Sequence, residues 1–204
     1  QVETAAFSSE RIETHTAVVR VPDPRVDHLS TIFNPRKTTY AQIQYNDIAG
    51  LRAGIGREGG LSGPLRNLLA QNDAFLHVVR AFEDESVPHP ASSVDPARDL
   101  EALDFELLFS DLLIVERSVE RLEAQLSRKK AYPERQSDEA LLGLLLRLKE
   151  ALERETPIRD LALSPEEMLM IRGYQFFTSK PVLVVLNVGD QGGDDPDAYV
   201  SYPH

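Results

Sequence analysis

Asp47 and Gly50 form a D-x-x-G sequence at the end of an apolar-polar alternation, and the loop that follows carries Gly54, Gly56, Gly59, Gly60 and Gly63. An aspartate leaving a strand can hold Mg²⁺. Glycines behind it let backbone N–H groups approach an anionic ligand, so the pair suits a loop that senses a Mg²⁺-nucleotide. D-x-x-G also arises by chance, and a glycine-rich loop also reads as a plain flexible connection, so the weight falls on the rest of the chain.

The elements that must position Asp47 follow in order. Residues 1 to 15 are polar and irregular, with Phe7, Ser8 and Ser9 the only apolar-hydroxyl junction. Thr16 to Val21 reads as a strand stopped by Pro22 and Pro24, and Asp23 caps a short helix with Val26, Leu29, Ile32 and Phe33 at helical spacing. Thr38 to Asn46 alternates Ala41, Ile43 and Tyr45 against Tyr40, Gln42 and Gln44, as an edge strand with one wet face does, and it delivers Asp47 at its end. Pro64 starts a short helix through Leu65, Leu68 and Leu69. Ala74 to Ala81 is apolar at nearly every position, which predicts a strand buried on both faces of a mainly parallel sheet, with His77 a hydrogen-bonded core histidine. An acidic, proline-punctuated loop follows from Phe82 to Pro90.

A long helix is predicted from Pro96 to Ser127, where Leu112, Val115, Val119, Leu122 and Leu126 repeat at spacings of three and four as a coiled-coil seam. Arg128 to Pro133 breaks it, and a second helix from Ser137 to Glu155 carries Leu141, Leu145, Leu148 and Leu152 on one face. Two such helices make an antiparallel hairpin that buries its stripes mutually. Ser164 and Glu167 form a capping box, with proline at the first helical position, for a short helix ending at Gly173. Lys180 to Leu186 is another apolar strand, ending at Asn187, Val188, Gly189 and Asp190, before an irregular acidic tail.

Composition narrows the function classes. The 204 residues can bury a substantial core in one domain or a domain with an insertion. No cysteine is present, which excludes a disulfide framework, a thiolate metal site and a cysteine nucleophile. The 33 acidic against 22 basic residues give a net charge of −11, which disfavours general adhesion to DNA, RNA or anionic membrane. No run approaches the roughly 18 apolar residues of a membrane span, and the polar beginning lacks a secretory pattern. A cytoplasmic protein is the expectation.

In a doubly wound α/β sheet, ligands gather at the carboxyl ends of the parallel strands, where Asp47 and Asn187 are both expected. This order resembles a Ras-like P-loop GTPase. A narrower resemblance lies in Val21-Pro-Asp-Pro-Arg25, Asp47-Ile-Ala-Gly-Leu51, Gly60-Leu-Ser-Gly63, His77-Val-Val-Arg-Ala-Phe-Glu-Asp84, Val94-Asp-Pro96 and Lys180-Pro181 before a strand into Asn187. Together these look like the YchF-type ATPases, a branch of the Obg-related translation GTPases, in order from about Phe7 to Asp190. The resemblance implies an α/β, Ras-like P-loop nucleotide domain carrying an inserted antiparallel helical hairpin. Its parts are a first nucleotide-domain segment over 1–104, the hairpin over 105–165, a return segment over 166–190 and an irregular tail over 191–204. It also implies Mg²⁺, ATP or GTP, and association with the ribosome.

Carried onto this chain, the resemblance gives Asp47 the role of holding Mg²⁺ through water and the Gly50 backbone that of meeting the γ-phosphate. Ser8 or Ser9 falls where the family's first switch places a hydroxyl that ligates Mg²⁺; each also reads as a polar loop serine. Leu51 stands where Ras-like enzymes put the glutamine that orients water, and a leucine cannot do that. The family shares this substitution and points instead to a histidine after F-E-D, here His89. Imidazole can orient water or take its proton near neutral pH; a surface histidine between two prolines is the plain alternative. Asn187, Val188 and Asp190 occupy the base-reading N-K-x-D: the missing lysine favours ATP, and the retained aspartate leaves GTP open. No G-x-x-x-x-G-K-[ST] occurs, so the phosphate cradle is absent from these residues. The first strand and its helix would precede Gln1, so the chain reads as a piece of a competent enzyme rather than a degenerate relative, and the family's C-terminal TGS domain is not found. Arg128, Lys129, Lys130 and Arg135 at the hairpin tip are the densest positive cluster. They are a candidate ribosome contact and equally a soluble turn.

Overall fold

Asp23 fixes where the first helix begins. In the computed structural model its carboxylate accepts the Arg25 backbone N–H at 2.9 Å and caps α1, Pro24–Phe33, whose first residue is the proline. The helix ends at Asn34 in the left-handed conformation, its N–H donating to the Ser30 carbonyl. The structure describes residues 14–48, 61, 63–89, 91–127, 132–189 and 195. The chain divides into two units, Gln1–Leu51 and Arg52–His204.

In the first unit, β1 (Thr14–Arg20) and β2 (Gln42–Ile48) form an antiparallel pair. The second strand starts four residues later than the alternation predicts, and Asp47 lies inside it, opposite His15, rather than after its end. The stretch ahead of β2 is engaged with α1 instead. Thr38 Oγ1 meets Ser30 Oγ at 2.9 Å, and the Tyr40 hydroxyl donates to Asp27. The ladder therefore opens only beyond the Val21 N–H to Ala41 carbonyl bond.

The second unit holds α2 (Gly63–Ala70), β3 (Phe75–Arg80), α3 (Pro96–Leu126), α4 (Tyr132–Glu153), α5 (Pro165–Ile171) and β4 (Val182–Asn187). Strands β3 and β4 pair in parallel, Phe75 opposite Val182 and Arg80 opposite Asn187. Neither strand is buried on both faces, contrary to expectation. Val79 is buried, and Val184 and Leu186 pack with it and with Leu100 of α3. On the opposite face Leu76, Val78, Leu183 and Val185 are exposed. Among the described residues the sheets are two-stranded, one antiparallel and one parallel, not one doubly wound sheet, and the α3 packing covers one face of the parallel pair.

The helical core answers to the leucine spacing. Val115, Val119 and Leu122 of α3 bury against Leu145, Leu148 and Leu152 of α4, with Ile158, Ile171 and Phe176 completing the cluster. Lys149 and Glu116 form an ion pair of 3.1 Å between these helices. Helix α4 begins at Tyr132, five residues before the expected start, because a proline in the first turn costs no internal hydrogen bond. Ser164 and Glu167 make both bonds of the capping box at the start of α5. Among the described residues no helix is long and apolar enough to cross a membrane.

Candidate functional site

Arg80, the last residue of β3, organises the loop that leaves the parallel pair. Its Nε donates to the Phe82 carbonyl at 2.9 Å, one terminal nitrogen to Val87 O at 2.8 Å and the other to Asp84 O at 3.2 Å. The guanidinium also lies 4.6 Å from the centre of the Phe82 ring. Asp84 closes the turn by accepting from the Ser86 backbone at 2.9 Å and its hydroxyl at 2.6 Å, and these bonds hold its carboxyl below the usual range. The acidic loop is thus a built turn whose residues 83–88 stay exposed. Three donors of one arginine fix carbonyls up to seven residues away.

That loop delivers His89, whose side chain is only 13% exposed. Its Nδ1 accepts the Ala91 backbone N–H at 3.1 Å, while Nε2 lies 3.0 Å from Asp99 Oδ2. The His89 carbonyl accepts from Ser92, which sits at a φ of 67°. Asp99 lies in the first turn of α3, where Asp95 is the cap. Its other oxygen, Oδ1, accepts from Arg98 Nε at 3.0 Å and from a terminal nitrogen at 2.8 Å. Arg98 is itself held by the Ser93 hydroxyl at 3.0 Å and the Ser93 carbonyl at 2.8 Å. His89 is therefore a fixed residue rather than a mobile surface histidine.

Asn187 ends β4 at the same carboxyl edge. Its carbonyl accepts from Ala81 N–H at 2.8 Å, so the Asn187 loop and the loop that runs to His89 leave the sheet side by side. Gly189 runs close to Phe82: a β-carbon there would sit 3.4 Å from Phe82 Cβ. Val188 is exposed. Asp190, Gly50, Ser8, Ser9, Arg128, Lys129 and Lys130 lie outside the described residues. Arg135 is described, exposed, and bonded to Glu139 at 2.8 Å one helical turn on. Asp47 is exposed and belongs to the first unit. Among the described residues no three His, Asp or Glu side chains gather as a metal cage. A Mg²⁺-nucleotide site asks for less, one or two carboxylates with phosphate oxygens and water, and exposed Asp47 is a carboxylate of that kind.

His77 departs from expectation. Its Nδ1 is buried with no hydrogen-bond partner among the described residues, and burial holds its imidazole below the usual range.

Sequence reasoning passed over Asp111 and took Lys180 only as the residue that opens a strand; both hold the approach to β4. Asp111, fully buried in α3, accepts from Phe177 N–H at 3.0 Å, Thr178 N–H at 2.7 Å and the Thr178 hydroxyl at 2.7 Å. Burial pushes its carboxyl up to about 6, against the pull of these donors and of Lys180. Lys180 sends its ammonium to the carbonyls of Leu69, Ala70 and Asn72 at 3.3, 2.7 and 2.6 Å, at the end of α2. The only local signal was a lone aspartate inside an apolar helical run.

No family model matches the chain. Individual proteins do. It is 36% identical to the "Ribosome-binding ATPase YchF" of Escherichia coli O157:H7 over 94% of its length and 51% of that protein. With the protein of the same name from Bacillus subtilis (strain 168), identity is 33%, covering 95% of this chain and 52% of the relative. Among solved structures, the Schizosaccharomyces pombe YchF GTPase superposes with a TM-score of 0.71 at 31% identity, over 92% of this chain and 50% of that one. The chain spans about half the length of the relatives it matches.

Proposed function

We propose that this chain, a YchF-type ATPase homologue over more than nine-tenths of its length, is the switch-bearing part of a nucleotide hydrolase that works in the cytoplasm on the ribosome. One observation carries the reading. At the carboxyl end of the parallel pair, the Asn187 carbonyl takes the Ala81 N–H, and the loop leaving Ala81 leads to a fixed His89. That is where α/β sheets bind ligands. In this reading Asn187, Val188 and Asp190 meet the base, Gly50 the terminal phosphate, and Asp47 with Ser8 or Ser9 the Mg²⁺, which neutralises phosphate charge when bound. His89 orients the attacking water. The absence of a lysine at Val188 favours ATP over GTP.

The test compares ATP and GTP binding and turnover by the 204-residue chain and by the intact gene product. The chain alone, having no G-x-x-x-x-G-K-[ST] loop, is expected to bind poorly and hydrolyse little. The intact product is expected to hydrolyse ATP, with His89→Ala lowering kcat by about 10²-fold, the scale of a lost acid-base group. An intact product lacking any such loop, or full-rate turnover by this chain, would refute the reading.

A second reading rests on the basic cluster Arg128, Lys129, Lys130 and Arg135, with the helices as the working surface and the α/β body as scaffold. The relatives' name, ribosome-binding ATPase, supports testing it. Reversing the first three charges is expected to reduce ribosome co-sedimentation at low salt by roughly an order of magnitude, since several phosphate contacts are lost together. Unchanged co-sedimentation would remove the tip from consideration.

A further inference from the structure

His89 is bonded at both ring nitrogens, and the two bonds differ in kind. Nδ1 accepts from Ala91 N–H, which requires a lone pair on Nδ1 and leaves the proton on Nε2. Nε2–H then donates to the Asp99 carboxylate at 3.0 Å. A hydrogen bond to an ionised group is roughly twice as strong as one between neutral groups, so the Ala91 bond is the one that yields to a competing donor. Asp99 cannot easily follow the ring elsewhere. Arg98 holds its second oxygen, and Ser93 holds Arg98.

The geometry points to Asp99 as the positioning residue for His89: it fixes the Nε2–H tautomer and presents Nδ1 as the lone-pair face that a water replaces Ala91 N–H to reach. The inference rests on the hydrolytic reading above. In the step itself, the water oxygen bonds the terminal phosphorus and one water proton passes to Nδ1. The bond from that phosphorus to the bridging oxygen breaks, releasing a nucleoside diphosphate. The Asp99 carboxylate faces the imidazolium so formed. The proton then leaves Nδ1 for phosphate or solvent. Asp99 touches neither water nor nucleotide.

Two measurements test the assignment. Long-range ¹H–¹⁵N correlation spectra of the imidazoles in the 204-residue chain are expected to show His89 with its proton on Nε2 and none on Nδ1. Asp99→Ala takes away the charged acceptor of Nε2–H and is expected to make that proton exchange faster with water while Ala91 N–H still keeps Nδ1 unprotonated, whereas a neutral His89 with its proton on Nδ1 in the parent chain overturns the proposal. In the intact gene product with ATP, Asp99→Asn keeps the shape and removes the charge. A fall in kcat of roughly tenfold or more with KM unchanged is expected, and His89→Ala combined with Asp99→Asn should be no slower than His89→Ala alone. Parent-level kcat in Asp99→Asn, with His89→Ala still impaired, overturns the positioning role and leaves the hydrolytic reading standing. Parent-level kcat in His89→Ala removes the hydrolytic role of His89 itself.

Discussion

Replacing Asp111 by alanine is expected to destabilise the chain by about 3 kcal/mol at pH 7, and by roughly 1.4 kcal/mol more at pH 5. The first figure comes from what is left behind. The carboxylate receives the Phe177 and Thr178 backbone N–H groups and the Thr178 hydroxyl, in a site with no exposure to water. An orphaned buried donor costs about 1 to 3 kcal/mol, and two backbone donors here cannot turn away. The hydroxyl can, because its O–H rotates about the C–O bond, and it keeps the Ile158 N–H that it accepts at 3.3 Å. Against this stands the relief of no longer burying a charge, which keeps the net loss near the lower end of the sum.

The pH dependence has the opposite sign to that of an ordinary salt-bridged aspartate. Burial raises the folded carboxyl from 3.8 to about 6, so between those values the folded chain holds a proton that the unfolded chain has released. This group's contribution to stability is fully present below 3.8 and is lost as pH rises through about 6. Going from pH 7 to pH 5 thus stabilises the parent relative to Asp111→Ala. Urea unfolding of both proteins at the two pH values measures the difference directly. Equal differences at pH 5 and pH 7 would mean that Asp111 is not protonated in that window.

What could be read from the sequence separates from what could not along the line between local and distant causes. The Asp23 cap and the Ser164–Glu167 box are spelled within four residues, and both helices start where those signals stand. The leucine stripes of α3 and α4 are likewise periodic: Val115, Val119, Leu122, Leu145, Leu148 and Leu152 are buried as the spacing predicts, whereas Leu112 and Leu141 are partly buried and Leu108 and Leu144 join the core from outside the stripes. The Asp111 bonds span 66 and 67 residues, and those of Lys180 span 108 to 111. No window along the chain contains both partners. His89 and Asp99 are only ten residues apart, yet an aspartate in a first helical turn already has a sufficient local reason in the helix dipole. The misplacement of Asp47 has a similar source. Alternation located a strand, but the bonds from Thr38 and Tyr40 to α1 delay its start, and β1 begins at Thr14, so that Thr14 and His15 pair with Ile48 and Asp47 and carry the strand past Asn46.

Lys180→Met is expected to cost about 2 kcal/mol and to loosen α2 selectively. Methionine keeps the apolar stem of a residue that is only 8% exposed, so the change isolates the ammonium. That group caps the carbonyl end of α2, where the last turn has no other basic residue. Leu69 O retains the Asn72 N–H at 3.2 Å, but Ala70 O and Asn72 O lose a short charged donor. Burial lowers the Lys180 ammonium from its usual range, so part of the cost of carrying the charge inside is recovered on removal. This is why the expected loss falls below the sum of three charged hydrogen bonds. The consequence is local because Lys180 sits just before β4, and its bonds join the turn before that strand to the helix that follows the glycine-rich sequence. Amide exchange should resolve it: protection in α2 is expected to fall by roughly 30-fold, at about 1.4 kcal/mol per tenfold, while amides around Leu145 and Leu148 keep theirs. An equal fall in α4 would show that Lys180 supports the whole unit. Unchanged protection in α2 would show that its three contacts contribute little, and that the end of β4 bearing Asn187 is placed by Asp111 without it.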